Sequence, residues 1–142
     1  MSVESIMEAT RVGLAYERLR MEAASRNIAS SNVPLPANAT ATRATAGAFS
    51  GHLGGAHAQL LDSPAATRAV HDPAHPLADA EGMVRYPDID LVEEMTSLMT
   101  ASRGYEANVR AFNLLRGMVA KAFEIGAKSC RSMPSARSRH PQ

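Results

Sequence analysis

The longest pattern of apolar positions lies in a proline-free stretch from Asp90 to Gly126. Its seam residues recur at alternating steps of four and three, which is the a/d spacing of a heptad repeat. Two of its members are polar, and the whole seam consists of Leu91, Met95, Leu98, Ser102, Tyr105, Val109, Phe112, Arg116, Val119 and Phe123. A helix of roughly 36 residues would span about 54 Å. The pattern therefore predicts a long helix with a coiled-coil seam that needs a partner, and a long amphipathic helix packed on its own domain is the alternative.

Both ends of this predicted helix carry end signals, and two glycines lie inside it. Asp90 suits the N-cap, and Glu93 follows at the spacing of a capping box. Gly126 suits a left-handed C-cap. Gly104 and Gly117 each cost a helix about 1 kcal/mol relative to alanine. We interpret these two glycines as places where a packed neighbour comes close to the backbone.

A second helix is predicted over residues 3–31. Apolar residues recur there every seven positions, at Met7, Leu14, Met21 and Ile28. Pro34 stops the helix, because the residue before a proline avoids helical backbone angles. The last turns are expected to be weakened by their polar residues, which are Asn27, Ser30, Ser31 and Asn32. The sequence thus supplies two heptad helices that can pair with each other or with equivalents in adjacent subunits.

The region between the helices has a different composition, rich in Pro, Ala, Thr and Gly. Such a segment buries too little apolar surface to offset the entropy of ordering it. Short strands are predicted at Leu60–Leu61, Ala69–Val70 and Met83–Tyr86, with a turn at Asp79–Gly82. The predicted fold is mainly α, with a coiled-coil-like pair of helices around a small, weakly ordered β-type insertion. Its segments are a helix over 1–32, the insertion over 33–88, a helix over 89–126 and a basic, disordered tail over 127–142.

Composition narrows the functional classes. The 142 residues suit one domain, and a formal net charge of +1 gives no general argument for nucleic-acid binding. The single cysteine excludes an intrachain disulfide. No apolar run is long enough to span a membrane. The first residues carry Glu4 and Glu8 and lack the apolar core of a secretory signal, so we expect none to be cleaved.

Candidate chemistry is sparse. Four histidines, His52, His57, His71 and His75, lie in the middle of the chain, but no recognised ligand spacing accompanies them. Cys130 has no sequence signature of a nucleophile near it. The tail carries isolated basic residues without aromatic neighbours, which is weak evidence for nucleic-acid binding; these are Lys128, Arg131, Arg137 and Arg139. We therefore expect no catalytic residue, no metal and no cofactor.

Several segments resemble the bacterial flagellar basal-body rod proteins, most closely the FlgC type of the proximal rod. The loop HPLADAEG at 75–82, YPDID at 86–90, EEM at 93–95 and ASRGYEANV at 101–109 match the C-terminal part of that family in residue type. The segment GLAYERLRMEAASRNIASSN at 13–32 is similar to the family's first helix. The resemblance covers residues 5–32 and 72–126. The chain departs from the family where ATATRATAGAF at 39–49 replaces an aromatic and basic stretch, and where it continues past Gly126.

The resemblance implies a non-enzymatic subunit of the flagellar rod, a tubular drive shaft that crosses the periplasm. It implies contacts with other rod proteins and with copies of this chain, and delivery by the flagellar type III export apparatus without a cleavable signal. Neither nucleic acid nor membrane insertion is expected. The predicted assembly interface consists of Met7, Leu14, Met21, Ile28, Met95, Leu98, Tyr105, Val109, Phe112, Val119 and Phe123. Three alternatives are another flagellar rod protein, a helical adaptor or chaperone-like binding module, and a metal-dependent enzyme that uses the central histidines.

Overall fold

Along the chain, two β-hairpins lie between two long helices. A computed structural model describes residues 3–47 and 58–131, and it describes side chains there only for residues 4–127. Helix α1 covers Val3–Ser30 and helix α2 covers Leu91–Arg131. The prediction of two long helices is confirmed. Over the described residues, neither helix has an apolar stretch that could cross a lipid bilayer.

The start of α2 is fixed by Asp90. Its carboxylate oxygen Oδ1 accepts hydrogen bonds from the backbone N–H groups of Val92 at 2.8 Å and Glu93 at 3.2 Å. This is the geometry of an N-cap, so the predicted cap is confirmed. The Glu93 side chain does not complete a capping box, because it bonds Arg43 instead.

The predicted end of α2 is wrong. The helix continues through Gly126 to Arg131, and Gly126 does not have the positive φ of a left-handed cap. One glycine in a helix costs only about 1 kcal/mol, which continued pairing of backbone groups in the next turn offsets. The first residues of the predicted tail are therefore helical, and residues 132–142 lie outside the described ranges.

The two helices pack antiparallel. A Cβ atom added to Gly13 would lie 3.3 Å from the side-chain Nδ2 of Asn108, and one added to Gly104 would lie 2.9 Å from Cδ of Glu17. The close approach predicted for Gly104 is thus confirmed. No described atom lies within 4 Å of such a Cβ at Gly117, so that glycine has no packed neighbour here. In this register α2 extends beyond the N-terminal end of α1.

The insertion forms two separate two-stranded antiparallel hairpins. Strand β1, Thr42–Ala46, pairs with β2, Leu60–Pro64. Strand β3, Thr67–His71, pairs with β4, Met83–Pro87. The predicted strands at 60–61, 69–70 and 83–86 are confirmed within longer ones, whereas β1 was not predicted. Both hairpins have complete five-residue registers, so the described insertion is more regular than expected.

The turn before β4 depends on Asp79 and Gly82. The Asp79 carboxylate accepts hydrogen bonds from the backbone N–H groups of Glu81 at 3.1 Å and Met83 at 2.8 Å. Gly82 has a φ of 73°, a left-handed conformation that glycine adopts without steric cost. The predicted turn is confirmed.

The buried core is small, and most of it lies where α1, β1 and the start of α2 meet, with Val84 contributed by β4. Its apolar members are mostly alanines, namely Ala23, Ala24, Ala41, Ala44, Val84 and Ala101. Three polar residues are buried among them, namely Asn27, Ser31 and Glu94. Small side chains let the helices and the hairpin approach closely, so specific polar contacts rather than a large apolar core position the elements.

Candidate assembly surface

Asn27 on α1 holds the first hairpin. Its side-chain Nδ2 donates to the carbonyl oxygen of Ala44 at 2.9 Å, and its Oδ1 accepts from the Ala44 N–H at 2.7 Å. Both residues are buried. The amide thus pairs with the edge of β1 as a neighbouring strand would.

The register of the hairpin explains why Ala44 needs this partner. Gly47 N–H bonds the Gln59 carbonyl, and Ala65 N–H bonds the Ala41 carbonyl. In an antiparallel ladder alternate residues point their backbone groups toward the partner strand. Ala44 is out of phase with Ala41 and Gly47, so its N–H and C=O point away from β2. Asn27 satisfies both groups, which would otherwise be buried without a partner.

Arg43 joins the same hairpin to the start of α2. Its Nε donates to Glu94 at 2.7 Å, and its Nη2 donates to Glu93 at 3.0 Å. The hydrogen bond with Glu93, and then that with Glu94, raises the pKa of Arg43 against the opposing effect of partial burial. The guanidinium therefore stays charged at any ordinary pH. Glu94 is only 3% exposed, so loss of Arg43 would leave a buried carboxylate without this partner.

Arg68 and Arg85 attach the second hairpin to the end of α1 and the loop after it. Arg68 Nη2 donates to the side chain of Asn32 at 3.1 Å and to the carbonyl of Ser31 at 3.4 Å. Its guanidinium also lies 5.2 Å from the ring centroid of Tyr86. The Arg85 carbonyl accepts from the N–H of Leu35 at 2.7 Å. Both hairpins are thus fixed at the same end of the helix pair.

The face of α2 that packs against α1 is rotated slightly about the helix axis from the predicted seam. Glu94 and Ala101 are buried, and the half-buried positions continue at Leu98, Asn108 and Phe112 with the same steps of four and three. Leu115 and Val119 complete this inner face. The small residues Ala101 and Gly104 permit the approach of α1, and this rotates the larger residues toward the sides.

The predicted interface residues fall into two groups. Half-buried positions are Met7, Leu14, Met21 and Ile28 on α1, with Leu98, Val109, Phe112 and Val119 on α2. Exposed positions are Met95, Tyr105 and Phe123. Eight of the predicted interface residues are thus partly covered, and three lie on the surface.

Helix α2 also has an outer apolar face, made of residues that are largely exposed to solvent. It consists of Val92, Met95, Met99, Leu114, Met118 and Ile125, which are between 51% and 74% exposed. A charged segment with the Glu106–Arg110 ion pair, at 3.7 Å, divides this outer face into two patches. Such exposed apolar patches on a helix mark places where another protein packs.

The residues considered for chemistry do not form a site in the described part of the chain. His71 lies in β3, and His75 Nδ1 accepts a hydrogen bond from the N–H of Leu77 at 3.1 Å. His52 and His57 lie outside the described residues. Within the described ranges, no group of three or more His, Cys, Asp or Glu side chains could hold a metal ion. Lys128, Cys130 and Arg131 continue α2, and the side chains there are not described.

Two residues that position the hairpins were missed at the level of sequence. By its residue type Asn27 is expected to weaken α1, and the segment around Arg43 stands out only as a departure from a family pattern. A buried asparagine near a helix end is a signal for backbone pairing, but its partner lies 17 positions away. A lone arginine in a segment of small residues also indicates a fixed charge partner, and the Glu93–Glu94 pair supplies it.

Part of the chain is similar in sequence to known proteins. Residues 80–125, which cover β4 and most of α2, match the family described as flagellar basal body rod FlgEFG protein C-terminal. The FlgC flagellar basal-body rod protein of Yersinia enterocolitica is 44% identical over 69 residues, which are 49% of this chain and 52% of the relative. That of Bacillus subtilis strain 168 is 51% identical over 57 residues, which are 40% of this chain and 38% of the relative.

The chain spans about half the length of the curated relatives that it matches most extensively. The match includes β4, the Asp90 cap and the α2 face that packs on α1. Residues 80–125 are therefore similar to the C-terminal region of flagellar basal-body rod proteins, and the curated relatives that the chain resembles are FlgC proteins.

Proposed function

We propose that this chain is a structural subunit of the bacterial flagellar basal-body rod, in its proximal part, and that it assembles through its terminal helices. The observation that carries the proposal is that the segment matched by the rod family, residues 80–125, contains the whole outer apolar face of α2. A subunit that buries surface only on assembly needs such a face. Rods grow by head-to-tail contacts that do not close into a ring.

The proposed partners are other rod proteins and further copies of this chain, and the proposed route is the flagellar type III export apparatus. The proposed location is the basal body. The helix pair would act as a coiled-coil-like unit with two levels of packing. Its inner face, with Leu98 and Phe112, joins α2 to α1, and its outer face joins α2 to neighbouring subunits.

Purified hook–basal bodies from the bacterium that encodes this chain provide the direct test. Mass spectrometry of these particles is expected to detect peptides of this chain in amounts comparable to those of the other rod subunits. If the chain is expressed but absent from the particles, it is not a rod subunit. A soluble, well-folded dimer in that case would favour the helical adaptor.

Two adjacent residues of α2, which differ in burial, separate folding from assembly. Met99 is exposed on the outer face, whereas Leu98 is half-buried on the inner face. Met99→Asp is expected to leave the free energy of unfolding within about 0.5 kcal/mol and to abolish motility, because surface substitutions rarely destabilise a monomer. Leu98→Asp is expected to lower the free energy of unfolding by about 2 kcal/mol or more, because it places a carboxylate between the helices.

Ser25→Asp is the matched control, because Ser25 is an exposed helical residue away from the outer face. It is expected to keep both stability and motility. Normal swimming by the Met99→Asp strain, with the variant present at the usual level, would show that the outer face takes no part in assembly.

A further inference from the structure

The two hairpins expose complementary strand edges. Bonds from Asp72 N–H to the Gly82 carbonyl and from Asp88 N–H to the Ala66 carbonyl fix the phase of the second hairpin. Even-numbered residues of β3 therefore point their backbone groups toward β4. The groups of Thr67, Ala69 and His71 point outward, and they make no hydrogen bond within the described residues. Every residue of β3 is exposed.

Strand β2 has a free edge of the same kind. The ladder with β1 uses its odd-numbered residues, as the bond of Gln59 to Gly47 shows. The backbone groups of Leu60 and Asp62, and the carbonyl of Pro64, therefore point outward. An unprotected edge of this type pairs readily with another strand.

The outward backbone groups of these two edges have the same spacing and could pair, yet the two strands do not pair within the chain. Only Ala65 and Ala66 separate β2 from β3, so pairing would need a two-residue hairpin turn. The favoured turns of that length need a positive φ, and no described non-glycine residue has one. Ala65 also bonds Ala41, and Ala66 bonds Asp88, so each linker residue belongs to its own hairpin.

We propose that the free edge of β3 in one copy of this chain pairs antiparallel with the free edge of β2 in a second copy. The pairing aligns His71 with Leu60, Ala69 with Asp62, and Thr67 with Pro64 of the second copy. All outward groups except those lost at proline then find partners, in about five backbone hydrogen bonds. The two hairpins join into one four-stranded sheet across the contact.

Side chains and charges favour this arrangement over a symmetric one. Val70 and Leu61, both exposed apolar residues, lie directly opposite each other. Asp62 lies diagonal to His71, and β3 contains no acidic residue that would repel it. Pairing of β2 with another β2 in the equivalent register would place two Asp62 carboxylates opposite each other, and pairing of β3 with another β3 would place two Arg68 side chains on one diagonal. Like charges in these positions destabilise a sheet.

The contact is head-to-tail, because it uses different edges of the two copies. In a pair, one copy keeps a free β2 edge and the other keeps a free β3 edge, so further copies can add at both ends. This contact lies on the hairpins and is independent of the outer face of α2. The proposed strand pairing does not depend on the rod function, and the purified chain is enough to test it.

Crosslinking of two variants tests the pairing directly. Leu61→Cys and Val70→Cys are prepared separately in a Cys130→Ser background, shown to fold by circular dichroism, mixed and oxidised. The two sulfurs would belong to a non-hydrogen-bonded pair, whose Cβ atoms lie about 4.5 Å apart and suit a disulfide. The mixed dimer is expected to exceed either homodimer by about fivefold or more, since only the mixed pair has this geometry.

A matched control tests the register. Ser63→Cys places the thiol on the same face but two residues along β2, and its mixed dimer with Val70→Cys is expected to form in clearly lower yield. Equal yields from the two mixtures, or homodimers as abundant as the mixed dimer, would overturn the proposal. A chain with both Leu61→Cys and Val70→Cys should give a ladder of oligomers on oxidation. A monomer with an internal disulfide would also overturn it.

Discussion

Replacement of Asn27 by alanine should loosen the first hairpin from α1. The change removes two short hydrogen bonds, of 2.7 and 2.9 Å, and leaves the N–H and C=O of buried Ala44 without partners. Each unsatisfied buried group costs about 1–3 kcal/mol. Alanine recovers about 0.5 kcal/mol through its higher helix propensity. For two such groups, the free energy of unfolding is therefore expected to fall by about 1.5–5.5 kcal/mol.

Urea unfolding followed by circular dichroism at 222 nm measures this difference, and Asn113→Ala is its matched control. Asn113 is an exposed helical residue of α2, so the same substitution changes helix propensity without removing a described contact. The control variant should be as stable as the natural chain, or slightly more stable. The difference between the two variants isolates the contribution of the Ala44 contact.

Asn27→Asp provides a second test through its pH dependence. An ionised carboxylate still accepts from the Ala44 N–H, but it faces the Ala44 carbonyl without a proton to donate. The folded state then favours the protonated acid, so the pKa of the new carboxyl rises above its unfolded value of about 3.9. Relative to the natural chain, stability should be least impaired below that pH and fall as pH rises toward the folded-state pKa. An Asn27→Ala variant as stable as Asn113→Ala would refute the reasoning.

Two further pairs of substitutions test other contacts. Glu94→Ala should lower the free energy of unfolding by about 2 kcal/mol, because it removes a buried partner of Arg43. Glu93→Ala should lower it by under about 1 kcal/mol, because that carboxylate is largely exposed. Denaturant titration compares the two variants, and equal losses of stability would contradict the assigned roles. Gly117→Ala should stabilise the chain by about 1 kcal/mol, because its added methyl group meets open space. Gly104→Ala should gain little, since its methyl group would displace a carboxylate of α1. Thermal melting of these two variants would count against the packing if both were stabilised alike.

The sequence was sufficient for elements whose signals are local. The Asp90 cap and the Asp79–Gly82 turn depend on side chains that bond the adjacent backbone, so the residues themselves predict the structure. The two helices follow from their apolar periodicity. The continuation of α2 past Gly126 could not be predicted from local signals, because a single glycine costs too little to end a well-formed helix reliably.

Features that depend on distant partners were missed or shifted. Strand β1 has no large apolar residue to mark it in the sequence, and it is held by Asn27 and Arg43 through contacts that no local pattern reveals. The side of α2 that meets α1 was displaced from the predicted seam for a similar reason. Large apolar residues attract attention in a sequence, yet Ala101 and Gly104 decide how closely the helices pack.

The antiparallel pairing of α1 with α2 has a consequence for the order in which the chain can fold. Gly13 and Asn108, which meet in the native structure, are separated by most of the chain. Each hairpin joins strands that are nearer in sequence, so it closes a shorter loop than the helix pair does. Helix α1 alone has no partner and gains little stability from its own backbone bonds. A chain emerging from its N-terminal end therefore reaches the native helix pair only after α2 has emerged.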